Sequence, residues 1–312
     1  MPKNRLERPI ILGIVGDSAA GKTTLASGVA QILGMDRVVT ICTDDYHKYS
    51  RAQRSENGTS ALDPACNYLD IIEHHLEQLR NNKPILKPIY SHNHGTLEAP
   101  EYVQPKPYII VEGLLGYSTR KMRDAYDVKI YLDPEEELRI KWKIKRDTKK
   151  RGYTEEQVMK ALEKRKFDSP AYIQPQRTFS DIVVRFFRPE DKEEETGSGL
   201  NVVHTLRPTL PHPDLSSLLD VGINTGISLA LARDRDGKPV DNLTIFGDIA
   251  DQRAHKIEEL LWGLIPEAEH LRANTRSIEE MDRINVISHP LMLTQMLIAY
   301  HMVKAALGVH AI

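Results

Sequence analysis

The chain has 312 residues, 40% of them hydrophobic and 28% charged, which is ordinary for a globular protein of one large or two modest domains. Its formal net charge of −2 argues against a general nucleic-acid-binding protein, which usually carries a basic excess. The chain has no apolar run of about 18 residues that could span a membrane, no signal-peptide pattern and too few cysteines for a disulfide framework, so we expect a cytoplasmic protein.

The first 188 residues alternate apolar runs with amphipathic stretches, which predicts an α/β fold with a mostly parallel sheet flanked by helices. The predicted strands are Ile10–Val15, Arg37–Cys42, Tyr108–Val111, Val128–Leu132 and Asp181–Phe187. The predicted helices are Thr23–Leu33, Tyr68–Asn81 and Pro134–Arg151. For the last of these, Asp133 predicts the N-cap and Gly152 the end, and Thr154–Gln157 predicts a capping box that opens another helix.

A polar, acidic segment, Glu190–Gly199, is the predicted linker or loop. After it the pattern changes to that of an α+β extension. The predicted strands there are Asn201–Leu206, Ile227–Arg233 and Asn242–Gly247, with a hairpin turn at Asp236-Gly237, and the predicted helices are Ala250–Leu264 and Leu291–Leu307.

Gly16–Thr23 reads G-D-S-A-A-G-K-T and matches the P-loop pattern G-x-x-x-x-G-K-[ST] between a strand and a helix. Backbone N–H groups of such a loop surround phosphates, and the helix N-terminus adds partial positive charge. Lys22 would reach the β- and γ-phosphates, and the Thr23 hydroxyl would bind Mg²⁺. A chance match in a chain of this size is expected roughly once in a hundred, which disfavours a glycine turn that only caps a helix.

Carboxylates follow two other predicted strands. Glu112 ends the strand Tyr108–Val111 and could hold Mg²⁺ directly or through water, the alternative being a glutamate that faces solvent. Asp44 follows the second strand, and because α/β sheets bind ligands at the carboxyl ends of their strands, it would lie next to the γ-phosphate. It could accept the proton of an attacking hydroxyl; the alternative is that Asp44 and Asp45 cap a helix.

Basic side chains near these carboxylates suggest an anionic acceptor. His47 and Arg51 could both face it, because the planar guanidinium binds two phosphate oxygens, although both could instead be surface residues. His92 and His94 lie in a predicted polar loop, Tyr90–Gly95, which either contacts the acceptor or is incidental; the residues needed for zinc are missing. A third set of basic residues shares one helix face, which is either solvated or part of a lid over phosphates. Its members are Arg139, Lys143, Arg146 and Lys150.

Together these segments resemble the phosphoribulokinase family, P-loop kinases that convert ribulose 5-phosphate to ribulose 1,5-bisphosphate in the Calvin cycle of carbon fixation. The similarity is greatest to the longer plant and cyanobacterial type, and uridine kinases are the nearest relatives. The segments that carry it are GDSAAGKTT at 16–24, TDDYHKYSR at 43–51, ALDP at 61–64, KPIYSH at 87–92, VEGL at 111–114, KWKIKRDTKKRG at 141–152 and AYIQPQ at 171–176.

The resemblance implies ATP and Mg²⁺ as cofactors, a homodimer, Asp44 as general base, and Lys22 and Glu112 as further catalytic residues. The implied nucleotide-binding residues are Gly16, Asp17, Ser18, Ala19, Ala20, Gly21, Lys22, Thr23, Thr24 and Arg165, and the implied metal-binding residues are Thr23, Glu112 and Asp44. The implied sugar-phosphate-binding residues are His47, Arg51, Tyr90, His92, Lys143, Arg146 and Arg151. We expect a P-loop kinase core with a basic lid at 1–189, a linker at 190–199 and an extension packed on the core at 200–312.

Two positions depart from the family pattern. Ala65 stands where the longer type has an arginine, and Leu115 stands where it has a histidine. Another sugar phosphate or a nucleoside therefore remains an alternative acceptor. A nucleotide-operated switch is disfavoured, because the near match Asn82–Ile85 lacks the aspartate of the guanine-binding pattern N-K-x-D.

Photosynthetic members of the family can be switched off by a disulfide between a P-loop cysteine and one just before the catalytic acid. Cys42 occupies the second position, but Ala20 occupies the first, so this bridge cannot form. We predict that activity is the same after oxidised and reduced dithiol treatment, with free thiols counted in both samples. A reversible loss of activity that accompanies a Cys42–Cys66 bond would contradict this prediction.

Overall fold

The computed structural model describes residues 8–190, 199–216, 226–274 and 288–308. Its strands are β1 (Ile10–Gly16), β2 (Val38–Cys42), β3 (Ile85–Ser91), β4 (Thr96–Val103), β5 (Tyr108–Gly113), β6 (Val128–Leu132), β7 (Ile182–Phe187), β8 (Asn201–Leu206), β9 (Ile227–Arg233) and β10 (Pro239–Ile245). Its helices are α1 (Lys22–Leu33), α2 (Arg51–Glu56), α3 (Leu69–Arg80), α4 (Arg120–Ala125), α5 (Glu136–Arg151), α6 (Glu155–Lys164), α7 (Asp251–Gly263) and α8 (His289–Ala306).

One mixed sheet runs through both halves of the chain in the order β2-β5-β1-β6-β7-β8-β10-β9. The first five strands are parallel, and β8, β10 and β9 continue the sheet with antiparallel pairing. The predicted α/β fold with a mostly parallel sheet is therefore confirmed. The division of the chain at residues 190–199 remains a prediction, because residues 191–198 of the predicted linker lie outside the described residues.

Side chains on β1 alternate between two apolar cores, one on each face of the sheet. Leu12 and Ile14 belong to the core beneath α1, α7 and α8, whereas Ile11 and Val15 belong to the core beneath α3 and α4. Helices on both faces explain why these strands are continuously apolar. Within the described residues, no helix combines the length and the apolar character needed to cross a membrane.

Several predicted boundaries of the helices are confirmed, but the predicted start of α5 is wrong. Gly152 ends α5 in the left-handed conformation with φ of 71°, and Thr154 and Gln157 form the capping box of α6. Helix α5, however, begins at Glu136 and not at Pro134, and Asp133 is not its N-cap. The Asp133 carboxylate instead pairs with Arg235 at 2.9 Å, and its backbone N–H donates to β7, so the chain stays extended for longer.

The structure contains a two-stranded sheet of β3 and β4 that the sequence pattern did not predict. Tyr90 and Ser91, which we predicted as the start of a polar loop, belong to β3, and Tyr90 is buried there. Strand β4 was missed because it is almost entirely exposed and contains Pro100, so it lacks the alternation of a half-buried strand. The hairpin turn at Asp236-Gly237 is confirmed, although β10 begins at Pro239, three residues before the predicted strand.

Two histidines are buried between the sheet and α8. His204 on β8 lies with its Nε2 2.8 Å from the hydroxyl of Thr294, and burial lowers its pKa to about 4. His301 on α8 contacts the ring of His212, and burial, with a smaller contribution from that neighbour, lowers the pKa of His301 to about 3. Both imidazoles are therefore neutral in the folded protein well below pH 6.

These two pKa shifts predict a loss of stability in mild acid. The unfolded chain binds a proton on each histidine below about pH 6.5, whereas the folded protein does not until pH 4 or 3, so the free energy of unfolding falls as pH drops through this window. The expected loss is about 1.4 kcal/mol per histidine per pH unit, measured by urea unfolding between about pH 6.5 and 4.5. The double variant His204→Gln, His301→Gln should have a smaller slope; an unchanged slope would contradict the prediction.

Candidate active site

Polar residues follow three neighbouring strands at one edge of the sheet. The parallel register places Glu112 of β5 beside Cys42 of β2 and Ile14 of β1. The P-loop follows β1, and a short 3₁₀ turn, Thr43–Tyr46, follows β2. The predicted nucleotide-binding and acid residues therefore converge on the carboxyl edge of the sheet, where α/β folds bind their ligands.

The P-loop has the backbone conformation of a phosphate-binding loop. Ala19 and Gly21 have positive φ angles of 66° and 96°, and Gly21 is the N-cap of α1. The Lys22 ammonium donates hydrogen bonds to the backbone oxygens of Gly16 at 3.0 Å and Asp17 at 2.9 Å, so it crosses the mouth of the loop. Thr24 follows on the exposed side of α1.

Two glycines permit close contacts around this edge. A Cβ atom on Gly113 would lie 1.8 Å from the hydroxyl oxygen of Thr43, and one on Gly16 would lie 2.5 Å from the carbonyl oxygen of Leu132. Real Cβ contacts are never this short. A side chain at position 113 would therefore displace the turn that carries Asp44, and one at position 16 would displace the P-loop.

Thr23 and Glu112 meet directly, because the Thr23 hydroxyl donates to Oε1 of Glu112 at 2.8 Å. Burial raises the pKa of Glu112, and the positive charge of Lys22 partly offsets this rise. The hydroxyl and carboxylate oxygens fit the ligand preference of Mg²⁺, which usually keeps several waters and binds through one or two protein groups and the phosphates. In the described part of the chain, no group of three or more His, Cys, Asp or Glu side chains forms a metal cage.

Asp44 faces the hairpin that follows β3. Its carboxylate is 24% exposed and lies 3.8 Å from Nε2 of His92. Burial lowers the pKa of His92, and the negative charge of Asp44 only partly opposes this shift, so the imidazole is neutral at pH 7. Asp44 also interacts electrostatically with Arg151. The carboxylate therefore remains open on one side to an acceptor molecule.

Arg54 on α2 is a buried cation beside this opening that the sequence did not point out. Its guanidinium donates to the hydroxyl of Tyr90 at 2.7 Å, lies over the ring of Tyr90 and also donates to the backbone oxygen of Tyr49. Among the described residues, no carboxylate forms an ion pair with Arg54. Its spacing of three from Arg51, on the same helix, was the available signal.

The other predicted acceptor contacts lie around Tyr90. Arg51 donates to the backbone oxygen of His92. His47 is only 3% exposed, its Nδ1 lies 2.6 Å from the side-chain oxygen of Asn67, and its ring packs edge-on against Tyr90. Burial lowers the pKa of His47. His47 thus forms part of the wall of the site, and direct contact with the acceptor remains a prediction.

The cations of α5 converge on Asp147, a residue that the sequence patterns did not select. Lys143 Nζ and Arg146 Nε each lie 2.8 Å from its carboxylate, and Arg151 lies 3.4 Å away. Burial alone would raise the pKa of Asp147, but the hydrogen bonds from Arg146 and Lys143 outweigh it and hold this pKa below its usual range.

The basic face of α5 also touches the P-loop. Arg139 donates to the backbone oxygen of Ser18 at 3.0 Å, and Arg146 donates to its hydroxyl at 3.2 Å. Lys150, predicted on the same face, is exposed. Arg165 lies at the end of α6, also exposed, where it interacts electrostatically with Arg54. Of the predicted lid cations, Arg139 and Arg146 therefore contact the phosphate-binding loop, whereas contact of Lys150 and Arg165 with the nucleotide remains a prediction.

Comparison with known proteins identifies the family of this chain. The profile of the Phosphoribulokinase / Uridine kinase family matches residues 11–192. The chain belongs to this family. The phosphoribulokinase of Synechocystis sp. is 37% identical over 194 residues, which cover 61% of this chain and 58% of that protein. The chloroplastic phosphoribulokinase of Mesembryanthemum crystallinum is 35% identical over 192 residues, which cover 56% of this chain and 48% of that protein.

The chain thus spans about half the length of the curated phosphoribulokinases that it matches. A uridine kinase of Latilactobacillus sakei is 30% identical over 179 residues, which cover 56% of this chain and 85% of that protein. Among solved structures, the phosphoribulokinase from Rhodobacter spheroides has a TM-score of 0.58 at 20% identity and covers 86% of this chain and 99% of its own. This likeness confirms the P-loop kinase fold.

Proposed function

We propose that the protein transfers the γ-phosphoryl group of ATP to ribulose 5-phosphate and forms ribulose 1,5-bisphosphate. The observation that carries this proposal is the buried guanidinium of Arg54, which has no carboxylate partner in the described structure. A buried charge without a partner is costly, and the phosphate of a sugar phosphate would compensate it. Arg51 and His92 lie beside it and add to the same anion-binding side. A nucleoside has no phosphate for this position.

The family comparison supports the same acceptor. The curated phosphoribulokinases of Synechocystis sp. and Mesembryanthemum crystallinum are 37% and 35% identical to the chain, whereas the uridine kinase of Latilactobacillus sakei is 30% identical over a similar span. Both kinds of relative share the kinase core, so the acceptor side decides between them. There the chain carries the cations that a phosphorylated substrate requires.

In the proposed reaction, the hydroxyl oxygen of the sugar attacks the γ-phosphorus, its proton passes to the carboxylate of Asp44, and ADP leaves. The P-loop and Lys22 hold the ATP phosphates, and Lys143 and Arg146 offset the charge of the transferring group. Mg²⁺, held by Thr23 and Glu112, would neutralise charge on the β- and γ-phosphates. A positioned general base contributes roughly 10²–10⁴-fold to such a rate, and positioning and electrostatics supply most of the remainder.

The positions that depart from the family pattern favour one other candidate, a kinase of a different sugar phosphate. Leu115 is 3% exposed and packs in a small apolar cluster with Leu62, Leu114 and Ile173. Ala65 is exposed in a 3₁₀ turn after Asp63. Compared with the family pattern, these positions carry apolar side chains in place of an arginine and a histidine, and this loss of two polar groups favours a different sugar phosphate as the second candidate acceptor.

An acceptor panel tests the proposed function. The enzyme, ATP and Mg²⁺ are incubated with ribulose 5-phosphate, ribulose, other pentose and hexose phosphates, and uridine, and ADP and the phosphorylated products are measured. We expect kcat/KM for ribulose 5-phosphate to exceed that for ribulose at least 10-fold, because a charge-assisted hydrogen bond contributes about 1.5–3 kcal/mol. Transfer to uridine but not to sugar phosphates would overturn the proposal.

The variant Arg54→Met belongs to the same experiment. It should raise the KM for the sugar phosphate about 10-fold or more and leave the KM for ATP nearly unchanged, because Arg54 lies on the acceptor side. Arg120→Met is the matched control, since Arg120 is exposed on α4 and its ion-pair partner in the described part of the chain is its helix neighbour Asp124. An equal rise in both KM values would count against an acceptor phosphate at Arg54.

A cytoplasmic location is also part of the proposal. Its support is that Cys42 and Cys66 are both free thiols, as expected in a reducing compartment.

We also infer that the protein is a homodimer joined through β9. This strand is the last in the sheet, and Leu231 and Leu229 on it are 81% and 38% exposed. Its other edge pairs with no strand in the described ranges. The strand lacks the lysine, proline or bulge that usually protects an open edge. An antiparallel pair about a two-fold axis at Ala230 would place each Leu229 opposite the partner's Leu231 and complete the hydrogen bonding.

Light scattering in solution tests this interface. We expect the wild type to have the mass of a dimer at micromolar concentration and Leu231→Lys to be a monomer, because an edge lysine opposes strand pairing. Phe167→Lys is the control, since Phe167 is 74% exposed on a different part of the surface. A dimer that survives Leu231→Lys would place the interface elsewhere.

A further inference from the structure

Asp45 is adjacent to Asp44 in the Thr43–Tyr46 turn but contacts a different element. Its Oδ2 lies 2.5 Å from Nζ of Lys87, and its Oδ1 accepts a hydrogen bond from the backbone N–H of Tyr90 at 3.0 Å. Lys87 and Tyr90 both belong to β3. One carboxylate therefore joins the turn after β2 to the strand that carries the acceptor-side residues.

The ion pair is well shielded from solvent. Lys87 is 5% exposed, and only 15% of the Asp45 side chain is exposed. The second carboxylate near Lys87 is Glu101 on β4, which is 3.7 Å away and 60% exposed. Asp45 is therefore the principal counter-charge of Lys87, and solvent screens the pair only weakly.

The position of this pair links the two walls of the acceptor opening. On one side the chain leads back one residue to Asp44, the proposed base. On the other side, the hydroxyl of Tyr90 accepts a hydrogen bond from Arg54. Two residues after Tyr90 lies His92, whose Nε2 is 3.8 Å from Asp44. Of the four residues in the turn, Asp45 is the one whose side chain hydrogen-bonds β3 in the described structure.

We propose that Asp45 and Lys87 act as a positioning clamp that fixes the proposed base Asp44 at a set distance from the acceptor-binding residues on and beside β3. This inference rests on the proposed function, because it concerns the geometry of that phosphoryl transfer. Proton abstraction requires reacting atoms held about 3–3.5 Å apart, and a displacement of about 1 Å can cost roughly 10²-fold in rate. A turn anchored to only one wall would let that distance vary.

Three variants separate positioning from simple stabilisation. Asp45→Asn keeps the oxygen that accepts from Tyr90 but loses the charge pair; Lys87→Met leaves a carboxylate without its partner; and the double variant removes both charges. We expect each single variant to lower kcat about 10- to 100-fold, to raise the acceptor KM, and to leave the ATP KM within about twofold. Both should also unfold at lower urea concentration, since Lys87→Met removes the partner of a shielded carboxylate and Asp45→Asn leaves Lys87 with the more distant and exposed Glu101.

The double variant gives the decisive measurement. Removing both charges should restore most of the resistance to urea, because no unpaired charge remains. The clamp is still missing, however, so kcat per folded enzyme should stay as low as in Asp45→Asn. A purely structural ion pair predicts the opposite, namely that kcat recovers together with stability. That recovery would overturn the proposal.

Two controls match the clamp residues. Asp127 is a similar carboxylate, 3% exposed, that accepts from the backbone N–H of Ile11 at 2.9 Å and pairs with Arg8 at 2.6 Å, but it precedes β6 at the opposite edge of the sheet. Asp127→Asn should lower stability without changing kcat. Glu101→Gln alters the exposed second partner of Lys87. This variant should be close to wild type in both stability and kcat.

The outcomes distinguish this inference from the proposed function. If the wild type phosphorylates another alcohol in the panel and not ribulose 5-phosphate, the proposed substrate is wrong, and the same kcat comparison is made with that alcohol. If Asp45→Asn and the double variant both turn over at the wild-type rate, the clamp is wrong while the function stands. A wild type that transfers phosphoryl groups to no acceptor would overturn both.

Discussion

Hydrogen bonds between parallel strands place Glu112 beside Cys42 on one side and Ile14 on the other, and the proposed catalytic geometry depends on this register. Each of the three strands then contributes one polar segment at the same edge. The contact between Thr23 and Glu112 at 2.8 Å joins the start of α1 to the end of β5. A slip of one residue in the pairing would point Glu112 to the opposite face and remove this contact.

Charge in the site is arranged before any ligand arrives. Lys143, Arg146 and Arg151 surround a single carboxylate, Asp147, so three cations and one anion leave a net charge of +2 beside the P-loop. The anion fixes the directions of the cations, and the surplus attracts phosphate. Groups that are already oriented need little rearrangement when charge develops in the transition state, which is the basis of electrostatic catalysis.

The sequence predicted those parts of the molecule that depend on short-range patterns. The P-loop, the strands that are apolar on both faces, and the capping box at Thr154 have local signals. Arg54 and the role of Asp45 could not be predicted in this way, because both residues have partners distant in sequence and Arg54 lies on a helix of six residues. Asp147 differs, because its spacing of four from Lys143 and from Arg151 on one helix was an available local signal. Strand β4 was missed for a different reason, since it is almost entirely exposed and contains Pro100 and so lacks the alternation of a half-buried strand.

The part of the chain after residue 200 supports the nucleotide site from behind. Helix α8 is buried on nearly all sides, which explains why it is apolar all round and not amphipathic, and it packs directly against α1. At that contact a Cβ atom on Gly28 would lie 2.1 Å from the side chain of Gln295, so the Gln295 side chain packs directly against the backbone of α1. Helix α1 carries Lys22 and Thr23 at its first turn. Its position is therefore fixed from one side by β5 through Glu112 and from the other by a helix nearly 300 residues along the chain, and the phosphate-binding end cannot shift without disturbing both contacts.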